Sequence, residues 1–180
     1  MRVFWKISCG ATLTAGLVLA AFPVLAQAGL SGRRAPSFSL PDSKFAQHDI
    51  LDYRGKWLLI DFMQTTCPHC RTLSIMLEDL KVKLAGKVDV LEIVEPPDNT
   101  ATVSKYLADN KFNIPIVFDS YLVATSYFKA TPANPSFDTP HLFAIDPNGQ
   151  IVRDWGQAAA DNPAVAKEIE QLVTAAGSKK

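Results

Sequence analysis

An apolar run, a closely spaced pair of cysteines and a helical pattern follow one another near the middle of this chain. Residues 57–62 are apolar except for Asp61 and show no alternation, which indicates a central strand covered on both faces. The cysteines, Cys67 and Cys70, come next, and from Arg71 onward apolar side chains recur at helical spacing. A helix N-terminus carries partial positive charge and unpaired N–H groups, so it stabilises a thiolate in its first turn. The sequence therefore predicts a buried strand that leads into a reactive dithiol at the start of a helix.

The first residues have the character of an export signal. Two basic residues, Arg2 and Lys6, precede an almost wholly apolar run over residues 11–25, and residues 26–28 fit a small-x-small cleavage site. We therefore predict that residues 1–28 are a signal peptide and that the protein is exported to the periplasm. The alternative is an uncleaved leader that anchors the protein in the membrane, although the apolar run is shorter than the roughly 20 residues of a spanning helix.

Cleavage would change the cysteine content of the protein. Cys9 leaves with the leader, so the mature domain, residues 29–180, retains only Cys67 and Cys70. A disulfide between residues so close in sequence closes a very short loop and adds little stability through chain entropy. The pair is therefore expected to serve chemistry or to bind metal rather than to hold the fold together.

The sequence gives little support for a metal site or for nucleic-acid binding. The two cysteines and His69 could contribute to a zinc site, but a tetrahedral site usually draws on a second pair of ligands, and His48 and His141 are the other histidines. The full chain carries 18 basic and 18 acidic residues, and no basic stripe indicates nucleic-acid binding. We accordingly predict no metal, no cofactor and no nucleic-acid partner.

The rest of the mature chain predicts an α/β domain. Residues 88–94 form a second apolar strand after the dithiol helix, which implies a parallel pair joined by a crossover. Near the C-terminus two strands flank the turn signal Pro147-Asn148-Gly149 and predict an antiparallel hairpin. The other expected elements are a strand at 37–40, a helix at 100–111, a short strand at 116–118, a weak helix at 122–128 and a C-terminal helix capped by Asp161 or Asn162.

This order of elements resembles the thioredoxin superfamily: a strand, a Cys-x-x-Cys helix, a crossover, and then Thr139-Pro140 entering a hairpin. Within that superfamily, residues 35–40, 54–57 and 145–149 resemble the exported TlpA/ResA-like branch. The resemblance covers nearly the whole mature chain. It implies a thioredoxin-like three-layer sandwich, in which helices flank a mixed central sheet and the N-terminus adds further β structure.

The resemblance also implies roles for individual residues. Cys67, at the tip of the helix, would attack a disulfide, and Cys70, one turn further in, would resolve the mixed disulfide. Pro140 would be a cis-proline opposite the dithiol, and Thr139 would offer backbone hydrogen bonds to an extended substrate. Asp61 would accept a proton from the resolving thiol, since a lone carboxyl in an apolar strand should have a raised pKa. The alternative for Asp61 is a structural hydrogen bond to a neighbouring strand end.

Two features modify the resemblance. Pro68 and His69, between the cysteines, resemble the pair found in strongly oxidising DsbA-type proteins, so we expect them to tune the redox potential. ResA-like proteins often carry a glutamate three residues after the second cysteine, but Leu73 stands there, which leaves Asp61 as the candidate acid. Residues 130–138 look like additional chain beside the active site, which either shapes partner choice or forms a neutral surface loop.

The leading functional prediction is a thiol–disulfide oxidoreductase that acts on protein cysteines in the cell envelope and is recharged by a membrane redox partner. A peroxiredoxin shares the Ala-Pro-x-Phe opening but has threonine three residues before its reactive cysteine, where this chain has Gln64. A SCO-like copper chaperone spaces its cysteines by three residues rather than two. The direction of exchange depends on the recharging partner and is not encoded in these motifs.

Overall fold

The computed structural model describes residues 29–177, with side chains through residue 175. The predicted signal peptide, residues 1–28, lies outside the described residues. Within the described range no helix is both long and apolar enough to span a membrane. The elements of this range are β1 (Arg33–Arg34), β2 (Ser39–Pro41), β3 (Gln47–Asp49), β4 (Trp57–Met63), α1 (Pro68–Lys83), β5 (Val88–Val94), α2 (Thr100–Asn110), β6 (Ile116–Phe118), α3 (Leu122–Phe128), β7 (His141–Ile145), β8 (Gln150–Trp155) and α4 (Ala164–Gly177).

A mixed sheet forms the centre of the described part of the chain, with six strands in the order β1-β8-β7-β4-β5-β6. β4 is parallel to β5 and antiparallel to β7, and β5 is parallel to β6. β2 and β3 pair separately as an antiparallel hairpin on the N-terminal side. The predicted α/β class, the crossover between parallel strands, the C-terminal hairpin and the N-terminal β extension are therefore confirmed.

Alternate side chains of β4 point to opposite faces of the sheet and build two different cores. Leu58, Ile60 and Phe62 pack in one core, to which α3 contributes. Leu59 packs on the other face in a core with α1 and α4, and Asp61 shares this face by alternation. Each large apolar side chain buried in these cores stabilises the fold by about 1.5–3 kcal/mol. The strand period thus directs the Asp61 carboxyl toward the dithiol helix.

The three segments that resemble the TlpA/ResA-like branch meet in space. The backbone N–H of Ala35 donates to the carbonyl of Gly149 at 3.0 Å, and that of Gly55 donates to the carbonyl of Pro147 at 3.1 Å. The guanidinium of Arg54 lies directly over Gly149, whose φ is +81°, and a Cβ at this position would displace that guanidinium. These motifs therefore maintain one structural junction, at the turn between β7 and β8, rather than the chemistry of the dithiol.

Candidate active site

The two cysteines occupy different environments at the N-terminus of α1. Cys67 caps the helix: its Sγ accepts a hydrogen bond from the backbone N–H of Cys70 at 3.2 Å, and Pro68 is the first helical residue. Both cysteines are thiols, Cys67 partly exposed and Cys70 fully buried. Burial raises the pKa of the Cys70 thiol, and its contact with Cys67 and the charge of Asp61 raise it further. The accessible sulfur therefore sits where a thiolate is stabilised, and the inner one retains its proton.

The Thr139–Pro140 segment lies at the same edge of the sheet. Its peptide bond is cis, as the resemblance implies. Phe62 of β4 pairs with His141 of β7, so antiparallel register brings Pro140 to the end of β4 that leads into the dithiol. Pro140 is buried, and Thr139 is partly exposed. Thr139, which is partly exposed, therefore lies at the end of the sheet that leads into the dithiol.

Asp61 is fully buried below the dithiol helix. Across residues 29–177 neither of its carboxylate oxygens has a partner in hydrogen-bond geometry. Burial raises its pKa well above the ordinary value, and the charge of Glu92 raises it further, while the nearby backbone N–H of His141 opposes the rise. A weak contact with the end of β7 therefore exists, but it does not neutralise the cost of burying this carboxyl.

A second buried acid was missed by the sequence reasoning. Glu92 of β5 is directly opposite Asp61 in the parallel register and is also fully buried. Its Oε1 accepts a hydrogen bond from the Ser74 hydroxyl at 2.5 Å, and the Ser74 Oγ lies 2.9 Å from the Tyr106 hydroxyl. Burial raises the pKa of Glu92 to about 7. The available signal resembled the one used for Asp61, a carboxylate flanked on both sides by apolar residues, although β5 also carries the partly exposed Asp89.

The pair between the cysteines faces outward. Pro68 begins α1, and His69 Nδ1 lies 3.2 Å from a carboxylate oxygen of Asp161. Asp161 therefore contacts the dithiol loop, whereas the cap of α4 is Asn162, which accepts from the backbone N–H of Ala164 at 3.0 Å. Of the two candidate caps named from sequence, the structure selects Asn162.

The remaining histidines are dispersed. His48 contacts Tyr53 and Asp42 in the N-terminal β extension, and His141 contacts Asp154 of β8 at 3.1 Å. Within the part of the chain that the structure describes, no cluster of three or more cysteine, histidine or acidic side chains could hold a metal ion. The sulfurs of the dithiol and the other two imidazoles therefore do not converge.

The segment from residue 130 to residue 138 packs beside the cis-proline. Phe137 stacks on Phe128 with ring centroids 4.4 Å apart and planes 7° from parallel. The edge of Phe128 in turn meets the His141 ring at 4.9 Å. Residues 131–136 are exposed. One aromatic anchor thus holds this loop next to Thr139 and Pro140, with its outer part open to solvent.

The architecture and the dithiol define a thioredoxin-like protein with a Cys-x-x-Cys centre. The chain belongs to the AhpC/TSA family, whose profile matches residues 31–154. It is 30% identical over 121 residues to a protein named thiol-disulfide oxidoreductase ResA from Geobacillus kaustophilus, a match that covers 67% of this chain and 66% of the relative. ResA of Bacillus subtilis is 24% identical over 123 residues, which cover 68% of this chain and 65% of that protein. The match thus spans just under two thirds of these relatives.

Solved structures agree on the fold. A putative thiol:disulfide interchange protein DsbE from Chlorobium tepidum superposes with a TM-score of 0.65 at 24% identity, covering 81% of this chain and 96% of that one. A putative protein disulfide isomerase from Bacteroides thetaiotaomicron gives a TM-score of 0.68 at 17% identity, covering 80% and 90%. The predicted thioredoxin-like sandwich and the resemblance to ResA-like proteins are confirmed.

The buried carboxyls make stability depend on pH. A carboxyl whose pKa is raised by folding keeps its proton where the unfolded chain has lost it, so the free energy of unfolding falls as pH rises through that range. For Glu92, a rise from 4.5 to about 7 corresponds to about 3 kcal/mol, lost between the two values. We expect chemical denaturation to show this fall, and Glu92→Gln to reduce its slope. The exposed Asp79→Asn should leave the slope unchanged; a Glu92→Gln curve parallel to that of the wild type would contradict the expectation.

Proposed function

We propose that this protein is a thiol–disulfide oxidoreductase that exchanges disulfides with protein cysteines. The observation that supports this most directly is the asymmetry of the dithiol, with Cys67 partly exposed at the helix N-terminus and Cys70 buried one turn further in. A nucleophile needs access and a stabilised thiolate, whereas a resolving thiol needs protection from outside reagents. The names of the ResA relatives agree with this activity.

The exchange proceeds in two displacements. The Cys67 thiolate forms a bond to one sulfur of the target disulfide, whose S–S bond breaks and releases the other sulfur as a thiolate. Cys70 then transfers its proton to Asp61 and attacks the Cys67 sulfur, which releases the second target thiolate. The target gains two electrons, and the dithiol loses two by becoming a disulfide. Run in reverse, the same steps oxidise a target, so the redox partner sets the direction.

Thr139 and Pro140 serve the substrate in this proposal. The antiparallel register between β4 and β7 supports their position beside the dithiol. In this proposal an extended target segment adds to the backbone of the partly exposed Thr139 by main-chain hydrogen bonds, as peptides do at open sheet edges. The loop at 130–138, held by Phe137, then borders the target and contributes to partner choice.

The first residues bear on where in the cell the protein acts. We infer that residues 1–28 direct export and are removed, so that the domain acts on envelope proteins in the periplasm and is recharged by a membrane redox partner. An uncleaved leader would instead tether the same domain to the membrane. N-terminal sequencing of the protein from a periplasmic fraction distinguishes these, since a mature N-terminus near residue 29 is expected only after cleavage.

A direct test compares two oxidants. The reduced protein is mixed in separate reactions with a disulfide-containing protein and with hydrogen peroxide, and loss of its thiols is followed over time. We expect protein disulfide to be reduced much faster than peroxide. Faster consumption of peroxide would favour a peroxiredoxin instead, the alternative that the Gln64 position argues against. Stoichiometric binding of copper by the reduced protein would favour a SCO-like chaperone.

His69 should tune the redox potential. The imidazole lies beside the dithiol and can stabilise the Cys67 thiolate, which exists only in the reduced form. We expect a potential between roughly −120 and −270 mV, and a more negative value for His69→Pro. Equilibration with glutathione measures both; a His69→Pro protein at the wild-type potential or above it would show no tuning by this side chain.

A further inference from the structure

Two carboxyl groups lie side by side beneath the dithiol helix. Asp61 and Glu92 are register partners on the parallel strands β4 and β5, and both side chains are fully buried. Within residues 29–177, three of their four oxygens have no hydrogen-bond partner, namely both of Asp61 and Oε2 of Glu92. Two ionised carboxylates so close together in an apolar core repel each other and lack solvent to screen them. The pair must therefore retain at least one proton near neutral pH.

The surroundings of Glu92 accept either protonation state. The Ser74 Oγ lies 2.5 Å from Glu92 Oε1, 2.9 Å from the Tyr106 hydroxyl and 3.0 Å from the Cys70 carbonyl. When Glu92 is ionised, Ser74 donates to it and accepts from Tyr106. When Glu92 is protonated, it donates to Ser74, whose hydrogen turns to the Cys70 carbonyl. Both arrangements satisfy the hydroxyls without moving a heavy atom, so proton exchange at Glu92 needs little reorganisation.

We propose that Glu92 is a positioning residue that shares a proton with Asp61 and thereby sets the pH at which Asp61 accepts the proton of Cys70. The effect on the resolving step rests on the proposed function, whereas the coupling between the two carboxyls does not. A negative charge on Glu92 raises the pKa of Asp61, in addition to the effect of burial. Glu92 therefore keeps Asp61 protonated to higher pH, and the pair titrates in coupled steps. The groups that face the pair are Cys67, Cys70, Ser74 and Glu78 from the start and body of α1, Tyr106 from α2 and the His141 backbone N–H from β7.

Proton sharing between Asp61 and Glu92 affects the resolving step, in which Cys70 attacks the Cys67 sulfur. In that step the S–H bond of Cys70 breaks and an O–H bond forms on Asp61, so the reaction needs Asp61 in its ionised form. Removing the negative charge of Glu92 lowers the pKa of Asp61, which makes the ionised form available at lower pH. Burial also raises the pKa of the Tyr106 hydroxyl, as does the charge of Glu92, so this group remains a donor throughout.

Infrared spectroscopy of the reduced full-length protein tests the sharing without any turnover. Carboxyl bands are titrated in the wild type, Glu92→Gln and Asp61→Asn, and the step that disappears in Asp61→Asn belongs to Asp61. We expect that step to move to lower pH by about one unit or more in Glu92→Gln. Asp79→Asn, which removes an exposed carboxylate on α1, should leave the Asp61 step at its wild-type pH. An Asp61 step at the same pH in Glu92→Gln and the wild type would overturn the proposal.

The resolving step supplies a second readout. The mixed disulfide of Cys67 with glutathione is prepared, and its release by Cys70 is timed across pH; the midpoint should move down in Glu92→Gln. If Asp61→Asn leaves this release rate unchanged, Asp61 is not the proton acceptor for Cys70. The infrared titration would still show whether Asp61 and Glu92 share a proton. Should Glu92→Gln not fold, Glu92→Met is the substitute. It also removes the negative charge of Glu92, so the Asp61 step should again move to lower pH, and an unmoved Asp61 step would overturn the proposal.

Discussion

Replacing Cys67 by serine is expected to abolish disulfide exchange, whereas Cys70→Ser should accumulate mixed disulfides with target proteins. Cys67 is the partly exposed sulfur at the helix N-terminus and Cys70 is buried, so among the described residues Cys67 is the thiol placed to begin the reaction. Without Cys70, the first displacement still occurs, but the target remains bound through its sulfur because the internal attack is missing. Non-reducing electrophoresis of both variants after exposure to a disulfide-containing protein separates these outcomes.

Cys9→Ser is the matched control, because Cys9 is predicted to leave with the signal peptide. It should exchange disulfides at the wild-type rate. Alkylation of the reduced protein at mildly acidic pH provides an independent check, since the exposed sulfur stabilised by the helix should be labelled first. Preferential labelling of Cys70, or trapped targets in Cys67→Ser, would reverse the assignment of the two roles.

Asp61→Asn is expected to slow the resolving step by about 10²–10⁴-fold at pH values where Asp61 is ionised in the wild type, the usual contribution of a positioned proton acceptor. Asparagine has nearly the same shape but cannot accept the proton of Cys70, whose pKa is raised by burial and therefore makes unaided ionisation rare. Some activity should remain because water and hydroxide can take the proton. The release rate of a preformed Cys67–glutathione mixed disulfide, measured across pH 6–9 around the ordinary thiol pKa of about 8.5, reports this step alone.

The fold should survive this change, because asparagine replaces a buried carboxyl that has no partner in hydrogen-bond geometry among the described residues. Denaturation at pH 8 should show a variant at least as stable as the wild type, since a carboxyl whose pKa is raised by folding lowers the free energy of unfolding as pH rises above the ordinary carboxyl pKa. Asp79→Asn, on the exposed face of α1, should keep the wild-type rate. Identical pH–rate profiles for Asp61→Asn and the wild type would reduce Asp61 to a structural residue.

Local patterns predicted most of the elements that carry the dithiol. The unbroken apolar run of β4 and the helical spacing after Cys70 are properties of neighbouring residues, so the strand, the cap and the helix could be recognised from sequence. The turn at Pro147-Asn148-Gly149 likewise encodes its own hairpin. β3 was not predicted, because its residues, Gln47–Asp49, are polar and become a strand only by pairing with β2.

The buried polar cluster beneath α1 depends on contacts between residues that are far apart in sequence. Asp61 was found because thioredoxin-like proteins carry an acid at that position and because it interrupts an apolar run. Glu92 interrupts an apolar run in the same way, but a single strand contains no information about which residue of another strand lies opposite. Ser74 and Tyr106 are ordinary residues on amphipathic helices, and their role depends on the packing of α1 and α2 over β5.

The sequence by itself determined the chemistry of the centre: a dithiol at a helix N-terminus after a buried strand, with a cis-proline segment expected from the resemblance. The strand, the helix and the position of the dithiol follow from residue type, period and spacing, which act over a few residues along the chain, whereas the cis-proline was implied by the resemblance alone. Only the tertiary structure decided that Asp61 faces a second carboxyl and that Asp161 contacts His69 instead of capping α4. Such contacts join residues far apart in sequence, and they arise from strand register and helix packing, which are set by the whole core at once.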